Sequence, residues 1–295
     1  MNKKETEVVI QRIQKWYDRL PSLFIYDKQT LNAEFGWSKN PVPFGERRTL
    51  NYKPISEGEE WGQKWESAWF HLLGKIPDQW AGKSIAAELD FSGEGLVFDS
   101  DGKAIQSISN SSIWDPNFSR TRLPLNNPCA GGERIELWVE AAANTLFGVF
   151  TDPDPEKESL KRHGWFDAKV ECMRFGIFDT ELWHLYLDVR ILLGLVKRLD
   201  EKSVRRSRAI LALNNCINAF ADNQKNSEKA RNFLKQELEK QASASDLYVS
   251  AIGHAHIDTG WLWPVRETVR KCARTFATQL SIIDEYPDYI FGASQ

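Results

Sequence analysis

The apolar residues of this chain change period several times, and each change marks a segment. Val8, Val9, Ile10, Ile13, Trp16, Tyr17 and Leu20 recur at steps of three and four. That spacing is one face of an α-helix, and Pro21 ends it. Residues 21–60 keep neither period and carry Pro41, Pro43 and Pro54, which predicts an irregular arm laid over other structure. From Trp61 to about Thr151, short apolar runs alternate with turn residues. The runs cover 67–72, 84–91, 95–98, 103–106 and 133–140, with turns such as Asp99-Ser100-Asp101-Gly102 and Gly131-Gly132 between them. Short strands at this spacing predict an antiparallel sandwich or jelly roll. Glu94, between Gly93 and Gly95, reads as a structural turn residue.

The helical period returns at Asp179. Leu182, Leu185, Tyr186, Val189, Leu192, Leu193, Val196 and Leu199 mark one helix, and Ile210, Leu211, Leu213, Ile217 and Phe220 a second. Phe233, Leu234 and Leu238 mark a third, and Gln241 to Ser245 form a small-residue linker. The β-prone run Leu247 to Ile252 follows. Next comes a helix with an apolar stripe of Val265, Val269, Ala273, Phe276, Leu280 and Ile283, then a second strand at Tyr289-Ile290-Phe291. Strand, helix and strand in this order predict a βαβ unit of a parallel sheet. The segments expected are therefore a helix and arm at 1–60, a β-sandwich at 61–178, a helical segment at 179–245, and an α/β segment from 246 to 295.

The run Gly253-His254-Ala255-His256-Ile257-Asp258-Thr259-Gly260-Trp261-Leu262-Trp263-Pro264 concentrates chemistry at the end of the first of those strands. Side chains alternate along an extended backbone, so His254, His256 and Asp258 point one way and Ala255 and Ile257 the other. At ~3.3 Å per residue, neighbours on one face stand ~6–7 Å apart. Imidazole nitrogen and carboxylate oxygen on one face suit Zn²⁺ or a similar borderline cation. The end of a parallel strand is also where α/β folds place their chemistry. A plainer reading is a hydrogen-bonded histidine at a strand end. Trp261 and Trp263 weigh against it, because two indoles at a rim offer flat apolar faces to a sugar ring. Two or three donors do not complete a metal site. The five histidines lie at 71, 163, 184, 254 and 256, so further ligands are expected beyond Gln295, from a partner chain, or from substrate and water. His71, His163 and His184 receive no role. Arg266, Glu267, Arg270 and Lys271 read as a solvated or rim face, with Glu267 and Lys271 as an i, i+4 pair.

Composition narrows the choice. The net charge is −3 over 295 residues, so no basic excess exists to neutralise a phosphate backbone, and nucleic acid is excluded as a partner. No run of ~18 apolar residues exists to span a membrane. The N-terminus lacks the continuous apolar core of a signal peptide, which makes the cytoplasm the default location. Four cysteines without C-x-x-C spacing read as buried free thiols.

The motif GHAHIDTGWLWP and the following RETVRKCARTFATQLSIIDEYPDYIFGASQ resemble the start of the catalytic domain of glycoside hydrolase family 38, the α-mannosidases, in their cytosolic and bacterial branch. The phrases DFSGEGLVFDSDGKAIQ and AAANTLFG, and the helical segment after them, are similar to that branch over roughly 60–245. The resemblance implies a (β/α)7-type barrel that residues 246–295 only begin, with one Zn²⁺ or Co²⁺ at its mouth. It implies His256 and Asp258 as metal ligands, Trp261 as part of the sugar site and His254 as a supporting residue. It further implies hydrolysis of terminal α-linked mannose from oligosaccharides with retention, by an aspartate nucleophile and a separate carboxylic acid, and a homo-oligomer. The nucleophile and the acid match no residue here and are expected beyond Gln295. The 295 residues are therefore expected to be an N-terminal fragment, inactive alone, with residues after about 245 poorly packed, docked on the helical segment, or associated between chains. The alternatives are a non-catalytic carbohydrate-binding or assembly module centred on the sandwich, and another metal-dependent hydrolase such as a deacetylase or an amidohydrolase.

Overall fold

The computed structural model describes residues 3–109, 119–144, 168–240 and 249–293. They form two compact units, each from two stretches of chain: 1–27 with 177–248, and 28–176 with 249–295.

The first unit is helical. It holds α1 (Lys3–Arg19), α2 (Thr180–Arg198), α3 (Val204–Phe220) and α4 (Ser227–Leu238). The periodic residues are those that pack: Ile13, Trp16 and Leu20 of the first helical segment are buried, as are Leu182, Leu185, Val189, Leu192, Leu193 and Val196 of α2. Val8, counted in the α1 stripe, instead lies outside it and is exposed. The helix ends follow local chemistry. The Asp179 carboxylate accepts from the Leu182 backbone N–H, and Ser203 Oγ accepts from that of Arg206, each satisfying a donor the helix start leaves open. Trp16 meets Phe220 edge-on at 5.4 Å, and Tyr17 stacks on Tyr186 at 4.6 Å. Residues 241–248, with the expected linker and the first two residues of the expected strand, lie outside the described residues.

The second unit is a sandwich with a helix on one sheet. Its strands are β1 (Ile25–Thr30), β2 (Asn32–Ser38), β3 (Tyr52–Pro54), β4 (Ser67–Lys75), β5 (Ile85–Asp90), β6 (Glu94–Phe98), β7 (Ala104–Ser109), β8 (Arg122–Pro124), β9 (Arg134–Ala142) and β10 (Cys172–Phe178). One sheet has the order β3-β2-β4-β9-β6-β7 and the other β1-β10-β5-β8. The arm expected to be irregular over 21–60 is corrected here. It supplies three strands, and β2 pairs residue for residue with β4, from Asn32↔Leu73 to Ser38↔Ser67. Pro41 and Pro43 lie between its strands and Pro54 closes β3, and the arm's pairing partner lies too far along the chain for local pattern to reveal. The core between the sheets centres on Phe70, which is fully buried and in ring contact with Phe91 at 4.2 Å, Trp61 at 5.6 Å and Phe35 at 5.7 Å. On the opposite face of the six-stranded sheet, alternation brings Glu140 of β9 and Glu94 of β6 close together: Leu96 pairs with Glu140, and Glu94 stands two residues from Leu96.

The βαβ unit comprises β11 (Gly253–Ala255), α5 (Val265–Glu285) and β12 (Phe291–Ala293). β11 and β12 are parallel, with Gly253↔Phe291, His254↔Gly292 and Ala255↔Ala293 in register. The strand expected at 247–252 is displaced. Val249 to Ile252 carry no strand, and the ladder begins where the Gly253 N–H donates to Ile290 O at 2.8 Å. Pairing with a three-residue partner, not apolar content, sets the position. Gly253 has a packing reason: a Cβ there would lie 1.9 Å from the Tyr289 hydroxyl.

α5 lies with its polar face inward. Glu267, Thr268, Lys271, Arg274 and Thr278 are buried, while Val265, Val269, Phe276, Leu280 and Ile283 are exposed. Its seat is the β6–β7 edge of the sandwich, where Ser107 bonds Thr278 by backbone and hydroxyl at 3.0 and 2.6 Å. Arg122 bonds Glu285 at 3.1 Å. α5 thus docks on the sandwich, a seat not among those expected for the residues after about 245, and the charged residues at its start are a solvated or rim face only at Arg266, which is exposed, whereas Glu267 and Lys271 are buried and Arg270 nearly so. Among the described residues no helix is long and apolar enough to cross a membrane.

Candidate metal and sugar site

His254 is carried by β11, which ends at Ala255, and exposure alternates along and beyond it: residues 254, 256 and 258 are open and 255 and 257 half-buried. Of the three side chains expected on one face, two stand together. His256 Nε2 and Asp258 Oδ1 stand 3.1 Å apart, with half of each side chain open to solvent. As a donor set, one imidazole nitrogen and one carboxylate oxygen fit part of the shell of a borderline divalent cation. Among the described residues, no group of three or more His, Cys, Asp and Glu side chains converges on one point. The pair is a partial set, as its two donors require.

Beyond Asp258 the chain turns sharply. Gly260 takes φ +73°, a left-handed conformation glycine adopts without a side-chain penalty. The turn is then latched to the first turn of α5. Thr268 Oγ1 accepts from the Gly260 N–H and from the Trp263 indole N–H, both at 3.2 Å. The two indoles separate in role. Trp261 is about half exposed (54%) and stands edge-to-face with Trp263 at 5.5 Å. Trp263, expected at the rim with it, is buried instead, with Lys271 Nζ 4.6 Å from its ring centroid. Trp261 therefore keeps about half of its surface open, and Trp263 holds the turn.

Beneath the turn lies a buried ionic cluster of three carboxylates and three cations. Glu94 accepts from Lys271 Nζ at 2.7 Å, Asn144 Nδ2 at 2.9 Å and Arg274 Nη1 at 3.1 Å. Glu267 accepts from Arg274 at 2.5 Å and Arg270 at 2.9 Å, and Arg270 also pairs with Glu140. The i, i+4 pair expected between Glu267 and Lys271 is replaced by i, i+3 and i, i+7 contacts along α5, because Lys271 turns to Glu94 on the sheet. Burial alone would raise the Glu267 carboxyl, but the Arg274 and Arg270 guanidinium groups outweigh it and hold it below the usual carboxylate range. Burial likewise works against the charge of Arg274, and Glu267, Glu94 and Glu140 together overcome it, raising its affinity for its proton. Each ion alone would cost several kcal/mol to bury; only the balanced pairing makes the cluster tolerable. Glu94 is thus the first residue of a strand, not a turn residue, and it and Thr268 carry more of the site than local pattern could signal.

The remaining candidates are peripheral. His71 on β4 lies 3.3 Å from Glu34 and 3.1 Å from Glu136, stacked on Trp138 at 4.0 Å. His184 sits on α2, 3.9 Å from Glu181, and His163 falls outside the described residues. Trp16, Trp61, Trp69, Trp80 and Trp138 are buried, so much of the tryptophan content fills cores. The four cysteines are free thiols, two of them buried and two half-buried, and burial pushes Cys172 and Cys216 up to about 12.

Two family models match this chain. Residues 29–164 match the jelly-roll domain of α-mannosidases, and residues 246–295 the N-terminal domain of glycosyl hydrolases family 38. The chain is 30% identical to alpha-mannosidase 2C1 of Mus musculus over 86% of its own length and 24% of that protein's. It is 29% identical to alpha-mannosidase G of Dictyostelium discoideum over 99% of its length and 27% of that protein's. It thus spans about a quarter of the curated relatives it matches. Among solved structures, a β-glucuronidase of Ruminococcus gnavus aligns over 51% of this chain and 28% of its own at 12% identity, with a TM-score of 0.32, too slight a likeness to bear on function. Strands β2 to β9 of the jelly roll and the His-x-His-x-Asp turn fall within the two matched segments, and the chain belongs to the glycoside hydrolase family 38 α-mannosidases, of which it carries the N-terminal portion.

Proposed function

We propose that this chain forms the N-terminal part of a metal-assisted, retaining α-mannosidase that removes terminal α-linked mannose from oligosaccharides. The observation that carries this reading is the His256–Asp258 pair, 3.1 Å apart and open to solvent beside the exposed Trp261. His256 Nε2 and Asp258 Oδ1 would hold a Zn²⁺ or Co²⁺ ion, with His254 on the same face in support. When bound, such an ion supplies a Lewis-acidic anchor for neighbouring sugar hydroxyls. The chain's own residues then divide the remaining work. Trp261 gives the ring an apolar wall. The turn latched through Gly260 and Thr268 keeps that wall beside the two ligands, and positioning of this kind accounts for much of a catalyst's advantage. A retaining reaction needs two further carboxyl groups ~5–5.5 Å apart, a nucleophile and an acid. No residue of this sequence is assigned to either role, and both would come from the part of a full-length enzyme that the relatives possess.

The parallel β11–β12 pair with its crossover helix supports reading 246–295 as the opening of a (β/α)7 barrel. The exposed stripe Val265, Val269, Phe276, Leu280 and Ile283 would then pack against further barrel elements. A cytoplasmic homo-oligomer is part of the same proposal. A glycan-binding sandwich without catalysis is less well supported, because so many of the tryptophans are core residues. Another metal-dependent hydrolase would share the ligand pair but not the jelly-roll match at 29–164.

Zinc titration tests the proposal. The chain should bind Zn²⁺ calorimetrically, and His256→Ala or Asp258→Ala should each weaken binding about tenfold or more. Binding that both substitutions leave intact would place the ion elsewhere and sink the assignment.

A further inference from the structure

The metal-binding turn is not held by its own segment alone. Glu94, from the sandwich, reaches it through two residues of α5. Its carboxylate takes Lys271 Nζ at 2.7 Å, and that ammonium sits 4.6 Å from the centroid of the Trp263 ring. The Trp263 indole N–H and the Gly260 N–H share Thr268 Oγ1, and Gly260 is two residues from Asp258. Glu94 and Lys271 are both more than nine-tenths buried, so the contact is made away from bulk water, where charge–charge and cation–π attraction are least screened. Asn144 and Arg274 fix the carboxylate from its other sides.

We propose that Glu94 is a positioning residue for the site: the jelly roll sets the geometry of the His256–Asp258 pair through Glu94, Lys271 and Trp263. The inference rests on the metal reading above, but the mechanical link is independent of it. A carboxylate in the sandwich fixes the ammonium, the ammonium fixes the indole, and the indole and Thr268 together fix the turn. In the full enzyme the sandwich would then be part of the catalytic apparatus without touching substrate.

Hydrogen exchange read by mass spectrometry separates the two claims. In Glu94→Gln, amides of the peptide 256–264 should exchange roughly tenfold faster, while strands 67–75 and 134–142 keep their protection. Zn²⁺ affinity, measured on the same samples, should fall by about 10- to 100-fold, the usual cost of losing an outer support of a metal ligand. Lys271→Arg should restore most of both readouts relative to Lys271→Met, because a guanidinium can keep the pair and the ring contact. If Glu94→Gln disturbs the sandwich strands, Lys271→Met decides, since it leaves Glu94 bonded to Asn144 and Arg274. Unchanged exchange at 256–264 in a folded variant would overturn the proposal. Absent Zn²⁺ binding in the parent chain would overturn the metal reading, with the exchange arm still deciding the positioning claim.

Discussion

At the scale of single residues, the buried ions behave opposite to their appearance in sequence. Glu267, Arg270 and Lys271 read as part of a solvated or rim face because charged residues on a helix usually are one. What converts them into an interior is the pair Glu94 and Glu140 on the sheet, more than a hundred residues upstream, and no local pattern announces that meeting. The alternating exposure of His254, His256 and Asp258 was legible because it depends on neighbouring residues alone. The split between Trp261 and Trp263 was not, because it depends on Thr268 and Lys271 one turn into the next helix. The Glu267 carboxyl is held below its ordinary value of 4.5 by its arginines, although burial pushes it the other way. A depressed folded value means that its contribution to stability is complete above the ordinary value and lost as pH falls through the depressed one. Acid titration followed by near-UV circular dichroism should therefore show α5 loosening below about pH 4.5, and Glu267→Gln should flatten that limb. Superimposable acid profiles of parent and variant would refute the account.

Among the elements, α5 carries the main lesson. Its period predicts an amphipathic helix, and amphipathic it is, but the side facing the sandwich is the charged one. Periodicity says that two faces differ; it does not say which face meets which neighbour. The consequence is measurable. Val269 and Leu280 lie on the exposed stripe, so Val269→Gln and Leu280→Gln should change thermal stability by less than about 0.5 kcal/mol each. Arg274→Ala, which strands Glu94 and Glu267 without their shared partner, should cost roughly 3–5 kcal/mol. The reverse ranking in a melting experiment would mean that α5 is seated the other way round. β4, β5, β6, β7 and β9 and the helices from 180 to 238 were readable because each is long enough to show its period, whereas the three-residue β8 was not. β1, β2, β3 and β10 escaped because they are short, or one-sided, or framed by proline and glycine.

Across the molecule, the order of segments was legible, whereas the grouping into two compact units was not: each unit closes across a long stretch of chain that belongs to the other. The site is divided in a similar way between a turn near residue 258 and supports near residues 94 and 140. On the proposed reading, which assigns no residue of this sequence as nucleophile or acid, these 295 residues by themselves should hydrolyse an aryl α-mannoside no faster than buffer, even with Zn²⁺ present. Turnover that disappears in Asp258→Ala would show that the chain holds a complete active centre. The charge-balanced seat of α5 also bears on alignment. A greasy helix can slip along a sheet by a turn, about 5.4 Å, and find nearly equivalent grease. This one cannot, because any slide would pull Arg270, Lys271 and Arg274 away from Glu94 and Glu140 at once. The helix is keyed to a single notch, and the height at which the turn carrying His256 and Asp258 rides above the sandwich is keyed with it.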